Sequence, residues 1–234
     1  MTRNLKALGL ALVAMFAMSA MAASAAQAQT QGEFTAAASP ATLTGDGGGD
    51  KFTAAGTTVT CSDADFHSPL TNVPTTTVTI TPIYTGCTVG TLPATVTMNN
   101  CDYMFHAGNT APGGNGTYGV TVDVDCPTST TTIEIDAWLS PHRKTTMPNN
   151  PDCIVTVSEA GNQGLTGAHL TNDHPHVNIS GTVTGVDYEV HKNHFLCPGE
   201  DTVPKGDGEY DINEVTVEGR TEGGGANTIS VSDS

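Results

Sequence analysis

The sequence predicts an all-β protein, an antiparallel β-sandwich of Ig-like or related type stapled by disulfides. Three observations carry this expectation. Apolar and polar residues alternate with period two in one segment after another, as strands buried on a single face require. Thr, β-branched and tolerant of water through its hydroxyl, occurs 38 times in 234 residues. Gly- and Pro-rich breaks recur at short intervals, and no stretch beyond the first 28 residues shows a 3.6-residue period.

In chain order, residues 1–28 read as an export signal. Arg3 and Lys6 make a basic start, Leu8 to Met18 is an apolar core, and Ala26-Gln27-Ala28 offers a small-residue cleavage site. Residues 29–50 are rich in Ala, Thr and Gly and end in Gly45-Asp46-Gly47-Gly48-Gly49-Asp50, which reads as a flexible lead-in and turn. Residues 51–234 form the predicted sandwich domain. Within it Val120, Val122 and Val124 alternate with Thr121, Asp123 and Asp125, and Ile133, Ile135 and Ala137 alternate with Glu134 and Asp136. Cys153, Val155 and Val157 oppose Thr156 and Ser158, and Val215 and Val217 oppose Glu214, Thr216 and Glu218. Thr75 to Thr81 and Pro93 to Met98 are Thr-rich strand candidates. Thr58-Val59-Thr60-Cys61 before Phe66-His67 echoes Thr95-Val96-Thr97 with Cys101 before Phe105-His106, so two interlocked β halves are the alternative to one domain.

Eight Lys and Arg stand against 24 Asp and Glu, a net charge of −16. Removing residues 1–28 takes Arg3 and Lys6 with it and leaves 6 against 24, or −18. Such a chain does not neutralise phosphates, so nucleic acid and anionic membrane are excluded as partners, and an extracellular partner or ligand of unspecified chemistry is expected. The localisation expected is secretion, with the cell surface or periplasm as alternatives.

Six Cys behind an export signal predict three disulfides. Their spacings of 26, 14, 25, 27 and 44 include no close pair of the kind zinc sites use. Fifteen pairings are possible. The pairing favoured on hairpin closure is Cys87–Cys101, Cys126–Cys153 and Cys61–Cys197.

The segments Pro82-Ile83-Tyr84-Thr85-Gly86-Cys87-Thr88 and Leu92 to Asn100-Cys101-Asp102-Tyr103, with Cys126-Pro127 and Cys197-Pro198, resemble a group of exported bacterial six-Cys, Thr-rich β proteins of unknown function. The resemblance implies a signal peptide, a Cys order and strand content; it implies no activity, substrate or cofactor.

Catalytic patterns are absent: there is no G-x-S-x-G, H-E-x-x-H, P-loop or G-x-G-x-x-G. The expected function is therefore non-enzymatic: structural, surface-presented or adhesive and binding. Two alternatives are carried. His169, His174, His176, His191 and His194 cluster in sequence, and converging imidazoles would make a Zn-binding protein or metal-dependent hydrolase. The alternating Asp207, Glu209, Asp211 and Asn213 supply oxygens of the kind Ca²⁺ prefers, which allows a Ca²⁺- or glycan-binding module, although no EF-hand spacing is present. The single Trp138 and five Tyr are read as half-buried with wet polar tips, too few for a sugar-stacking platform.

Overall fold

The computed structural model describes residues 31–110, 116–192 and 201–233; the export signal predicted over residues 1–28, His194 and Cys197 lie outside them. In chain order the strands begin with β1 (Gly32–Ala36), β2 (Ala41–Gly47), β3 (Lys51–Ala54), β4 (Thr57–Thr60) and β5 (Asp63–Leu70). They continue with β6 (Thr77–Ile80), β7 (Pro82–Thr85), β8 (Thr88–Val89), β9 (Leu92–Thr97), β10 (Asp102–Thr110), β11 (Thr117–Asp125) and β12 (Thr132–Ala137). After the short helix α1 (Pro141–Thr146) come β13 (Cys153–Ser158), β14 (Leu165–Asp173), β15 (His176–Lys192), β16 (Asp201–Thr221), β17 (Ala226–Asn227) and β18 (Ile229–Asp233).

The all-β class follows from the alternation. Along β5, Ala64, Phe66, Ser68 and Leu70 are buried while Asp65, His67 and Pro69 are exposed. Along β11, Tyr118, Val120, Val122 and Val124 turn inward. The region predicted as a flexible lead-in holds two strands instead. In β2, Ala41, Leu43, Gly45 and Gly47 are buried between Thr42, Thr44 and Asp46. Small side chains hide that period: Gly45 is opposed to Phe66, whose ring fills the space, and a Cβ on Gly45 would lie 1.9 Å from a ring carbon.

The strands are joined differently from an open pair of stacked sheets. β15 pairs with β13, and the ladder continues through β12, β9, β8, β4 and β3 to β16, which pairs back onto β15, so eight antiparallel strands close a hydrogen-bonded ring. Closure removes the unpaired edges that a sandwich would keep. The same long β15–β16 hairpin also serves a second curved sheet. The opening stretch of β15 (176–181) pairs with β14, and residues 216–221 of β16 pair with β2, whereas 189–192 of β15 and 209–211 of β16 pair into the first ring. The second sheet runs from β15 through β14, β11 and β10 to β6, and from β16 through β2 and β5 to β7. Only Thr81 separates β6 from β7, so one extended run leaves β10 and joins β5, completing the second ring through the chain itself. The change of partner falls at Pro82, which has no N–H to continue the ladder.

A two-stranded ribbon, β1 with β18, packs on the second ring. Asparagine amides mimic strand pairing there. Asn172 donates to Val231 O at 2.7 Å and accepts from Val231 N at 2.8 Å, and Asn227 does the same with Ala38 at 2.7 and 3.0 Å. Asn162, fully buried, holds the β13–β14 turn to β15 by donating to Ser158 O and Asp187 O and accepting from Asp187 N.

The disulfides observed are Cys61–Cys87 and Cys101–Cys126, and Cys153 is disulfide-bonded as well. The predicted pairs Cys87–Cys101, Cys126–Cys153 and Cys61–Cys197 are thereby corrected. Sheet register, which linear spacing does not reveal, decides the matter. Thr60 opposes Thr88 across β4–β8, so Cys61 and Cys87 are the next rung; Asp102 opposes Asp125 across β10–β11, so Cys101 and Cys126 are the next rung. Disulfides of this kind belong to an oxidising compartment. Among the described residues no helix is long and apolar enough to cross a membrane.

Candidate functional site

Among the described residues the histidines picked out in sequence do not gather at one site. His169 is exposed on β14, His174 is exposed in the turn before β15, His176 begins β15 and His191 lies near its end. Fifteen residues of extended chain put these two positions of β15 roughly 50 Å apart along the strand. Among the described residues no three of these histidines share a potential metal site, and His194 lies outside them. His191 lies 3.6 Å from Glu189. The oxygens of the β16 face are distributed as well: Asp207 accepts from the Tyr188 hydroxyl at 2.8 Å, and Asn213 donates to Gly48 O at 2.9 Å. Asp46, Asp63 and Asp65 do converge, on the outer face of β2 and β5. Thr77, His106 and Asp123 form a hydrogen-bonded chain (3.2 Å to Nδ1, 2.8 Å from Nε2), but Thr77 and His106 are rungs opposed in register on a sheet face.

An apolar cavity lies where the two rings meet. The inward residues of the strands there, among them Val122, Val124, Ile133, Ile135, Val157 and Val183, enclose an apolar cavity of about 60 Å³. A second cavity of about 100 Å³ lies inside the first ring and shares the walls Phe52, Val59 and Ile135. Trp138 lines the second cavity and is buried, not half-wet as expected; its indole N–H donates to Met147 O at 3.1 Å, so the polar tip is satisfied inside the fold. The segment carrying it is pinned by buried Asp152, which accepts from Leu139 N at 2.9 Å and pairs with Arg143 at 2.7 Å.

Asp50, Tyr84, Tyr103 and Tyr210 meet in the wall of the 60 Å³ cavity and also line a neighbouring one of about 40 Å³. Asp50 is 3% exposed. It reaches the interior because the glycine run ahead of it turns tightly: Gly49 has φ +82°, donates to Cys61 O at 2.9 Å, and Cys61 N returns a bond to Asp50 O at 3.0 Å. The Asp50 carboxylate accepts from the Tyr210 hydroxyl at 3.1 Å and from Asn213 N at 3.0 Å. Tyr210 and Tyr84 share a hydroxyl–hydroxyl bond of 2.7 Å, and the rings of Tyr103 and Tyr210 stack with centroids 6.1 Å apart. The three rings are half-buried, edging the cavity, while the Tyr210 hydroxyl reaches Asp50 and the Tyr84 hydroxyl reaches that of Tyr210.

Burial raises all three phenols. Tyr84 and Tyr210 are held well above the usual range, first by desolvation and then by neighbouring phenols, with Asp50 adding to the effect at Tyr210. Tyr103 is pushed up to about 12, again first by desolvation. The hydroxyls therefore remain protonated donors across the physiological range. An apolar chamber ending in a few convergent polar groups is the usual form of a small-molecule site. It contains an acceptor, Asp50, and neutral hydroxyl donors from Tyr84 and Tyr210.

Sequence patterns do not disclose this cluster. Tyr84, Tyr103 and Tyr210 come from three strands, and Asp50 sits in the same glycine-rich run as Asp46, although Asp50 is buried and Asp46 exposed. Tyr84 and Tyr103 fall in the segments around Cys87 and Cys101 and Tyr210 among the alternating acids, and no local pattern joins them. No protein-family model matches the chain, and neither a curated protein nor a solved structure does.

Proposed function

We propose that this is an exported, non-enzymatic binding protein whose joined rings hold one small, largely apolar ligand, its polar end at Tyr84, Tyr210 and Asp50. The observation that carries the reading is the apolar chamber at the ring junction, with the hydrogen-bonded group of Asp50, Tyr210 and Tyr84 in its wall. An eight-stranded ring leaves room for side chains or one small guest. The two cavities, of about 60 and 100 Å³, share Phe52, Val59 and Ile135 as walls, and a benzene-sized guest, which takes ~150 Å³, would displace those side chains to occupy both. Export is supported by the basic, apolar and small-residue pattern of residues 1–28 and by the disulfides. A net charge of −16 argues against nucleic acid and anionic lipid as partners. Thr and acidic residues on the outer faces, such as Thr121, Asp123, Glu134 and Asp136, stand where a membrane-spanning barrel needs an apolar band.

The test is thermal denaturation of the mature protein with toluene, indole and benzyl alcohol, read by Trp138 emission and by circular dichroism. A ligand at a hundred times its Kd stabilises by about 2.7 kcal/mol, which raises Tm by roughly 5–10 °C in a chain of this size. Val183→Phe, which fills the cavity, is expected to abolish the shift. No shift with any of these compounds at their solubility limits would remove the reading.

A further inference from the structure

We infer that the polar end of this chamber selects a ligand carrying an ammonium group, an organic amine with a small apolar body. The inference rests on the binding reading above and specifies its ligand. Its starting point is the carboxylate of Asp50. Buried acids are normally paired with a cation. The ion pairs of the described residues join Arg143 to Asp152, Arg220 to Glu218, His106 to Asp123 and His191 to Glu189, and none of them involves Asp50. Asp50 is 3% exposed and is met by one phenol and one backbone amide. A carboxylate accepts at about four positions, so two donors leave capacity for a charged N–H.

The surroundings are those a cation prefers. Tyr84, Tyr103 and Tyr210 line the chamber beside Asp50; Tyr103 and Tyr210 stack on each other, and electron-rich ring faces left free attract ammonium groups, most strongly where water is excluded. Their hydroxyls are neutral, so they add acceptor lone pairs without further charge. The chamber behind them is lined by Val and Ile and takes an apolar body. The charge of −16 over the whole chain raises the local concentration of cations and depletes anions. An anionic ligand would meet a buried carboxylate, and a purely apolar one would leave the polar end unused.

The experiment is a calorimetric titration of the mature, oxidised protein with benzylamine, benzyl alcohol and toluene, repeated with Asp50→Asn. Benzylamine is expected to bind at least about tenfold more tightly than benzyl alcohol to the wild type, through the charge-assisted bond and the ring faces. Asp50→Asn is expected to erase that preference while toluene still binds. Equal affinity for amine and alcohol overturns the inference, as does an amine preference that survives Asp50→Asn. If Asp50→Asn does not fold, the wild-type ratio of amine to alcohol decides by itself. Toluene binding without an amine preference leaves the chamber as a binding site and removes only the ammonium assignment. Failure of toluene together with tight binding of benzylamine would keep the ammonium site and remove the apolar-ligand reading.

Discussion

Replacing Cys61 and Cys87 together by Ala probes both the pairing set by strand register and the stabilising role of the crosslinks. The bond closes a separation of 26 residues. In the chain-entropy account a loop of that size restricts the unfolded ensemble by about 3.5 kcal/mol. For a chain of roughly 200 residues each kcal/mol moves Tm by about 2–4 °C, so the double variant should melt roughly 7–14 °C lower. Circular dichroism at the strand band follows the melt, and a thiol reagent under denaturing conditions counts free sulfhydryls. Cys61→Ala/Cys87→Ala should expose no thiol beyond the wild type, because each remaining Cys keeps its partner. Cys87→Ala/Cys101→Ala, which removes one member from each of two bonds, should leave Cys61 and Cys126 reactive or mispaired. The reverse pattern, two thiols in the first variant and none in the second, would overturn the pairing by register. A Tm loss of under about 2 °C would overturn its magnitude.

Three further outcomes are expected. Burial, followed by the charge and hydrogen bond of Glu134, pushes the Asp136 carboxyl from 3.8 up to about 7. A raised acid gives stability that is full below the unfolded value and is lost as pH rises through the folded one, so urea midpoints should fall between about pH 4 and pH 7. Asp136→Asn should flatten that slope, and an unchanged slope would contradict the assignment. Asn172→Ala removes both bonds to Val231 and should cost about 1–3 kcal/mol while speeding hydrogen exchange in β1 and β18; unaltered protection there would show that the ribbon is held otherwise. Phe66→Ala should cost about 3–5 kcal/mol and Gly45→Ala about 1–3 kcal/mol, whereas the double variant should cost less than their sum, because the added methyl enters the space the ring leaves. Strict additivity would count against that packing.

Much of the local structure is legible along the chain. Val120 to Val124, Ile133 to Ala137 and Val215 to Val217 alternate as their sequence indicates, and each inward residue of these runs that is apolar lies in or against the core. The strands in the lead-in escape detection because Gly45 and Gly47 carry no apolar signal of their own; their burial depends on Phe66 and Val215 reaching over them from other strands. The described histidines stay apart for the converse reason. Closeness in sequence suggests a cluster, but an extended strand carries residues away from each other at about 3.3 Å per position, and β15 holds His176 and His191 far apart.

Alternation along the chain is enough to set the strand class, because a period of two depends only on neighbouring residues. Composition likewise sets the acidic surface and the capacity for crosslinks. Which cysteines bond, how the sheet closes on the β15–β16 hairpin, and the meeting of Asp50 with Tyr84, Tyr103 and Tyr210 are properties of the folded arrangement alone. Each of these depends on register between strands far apart in the chain. A slip of one residue would turn every side chain of a strand to the other face, and no local pattern records which rung faces which.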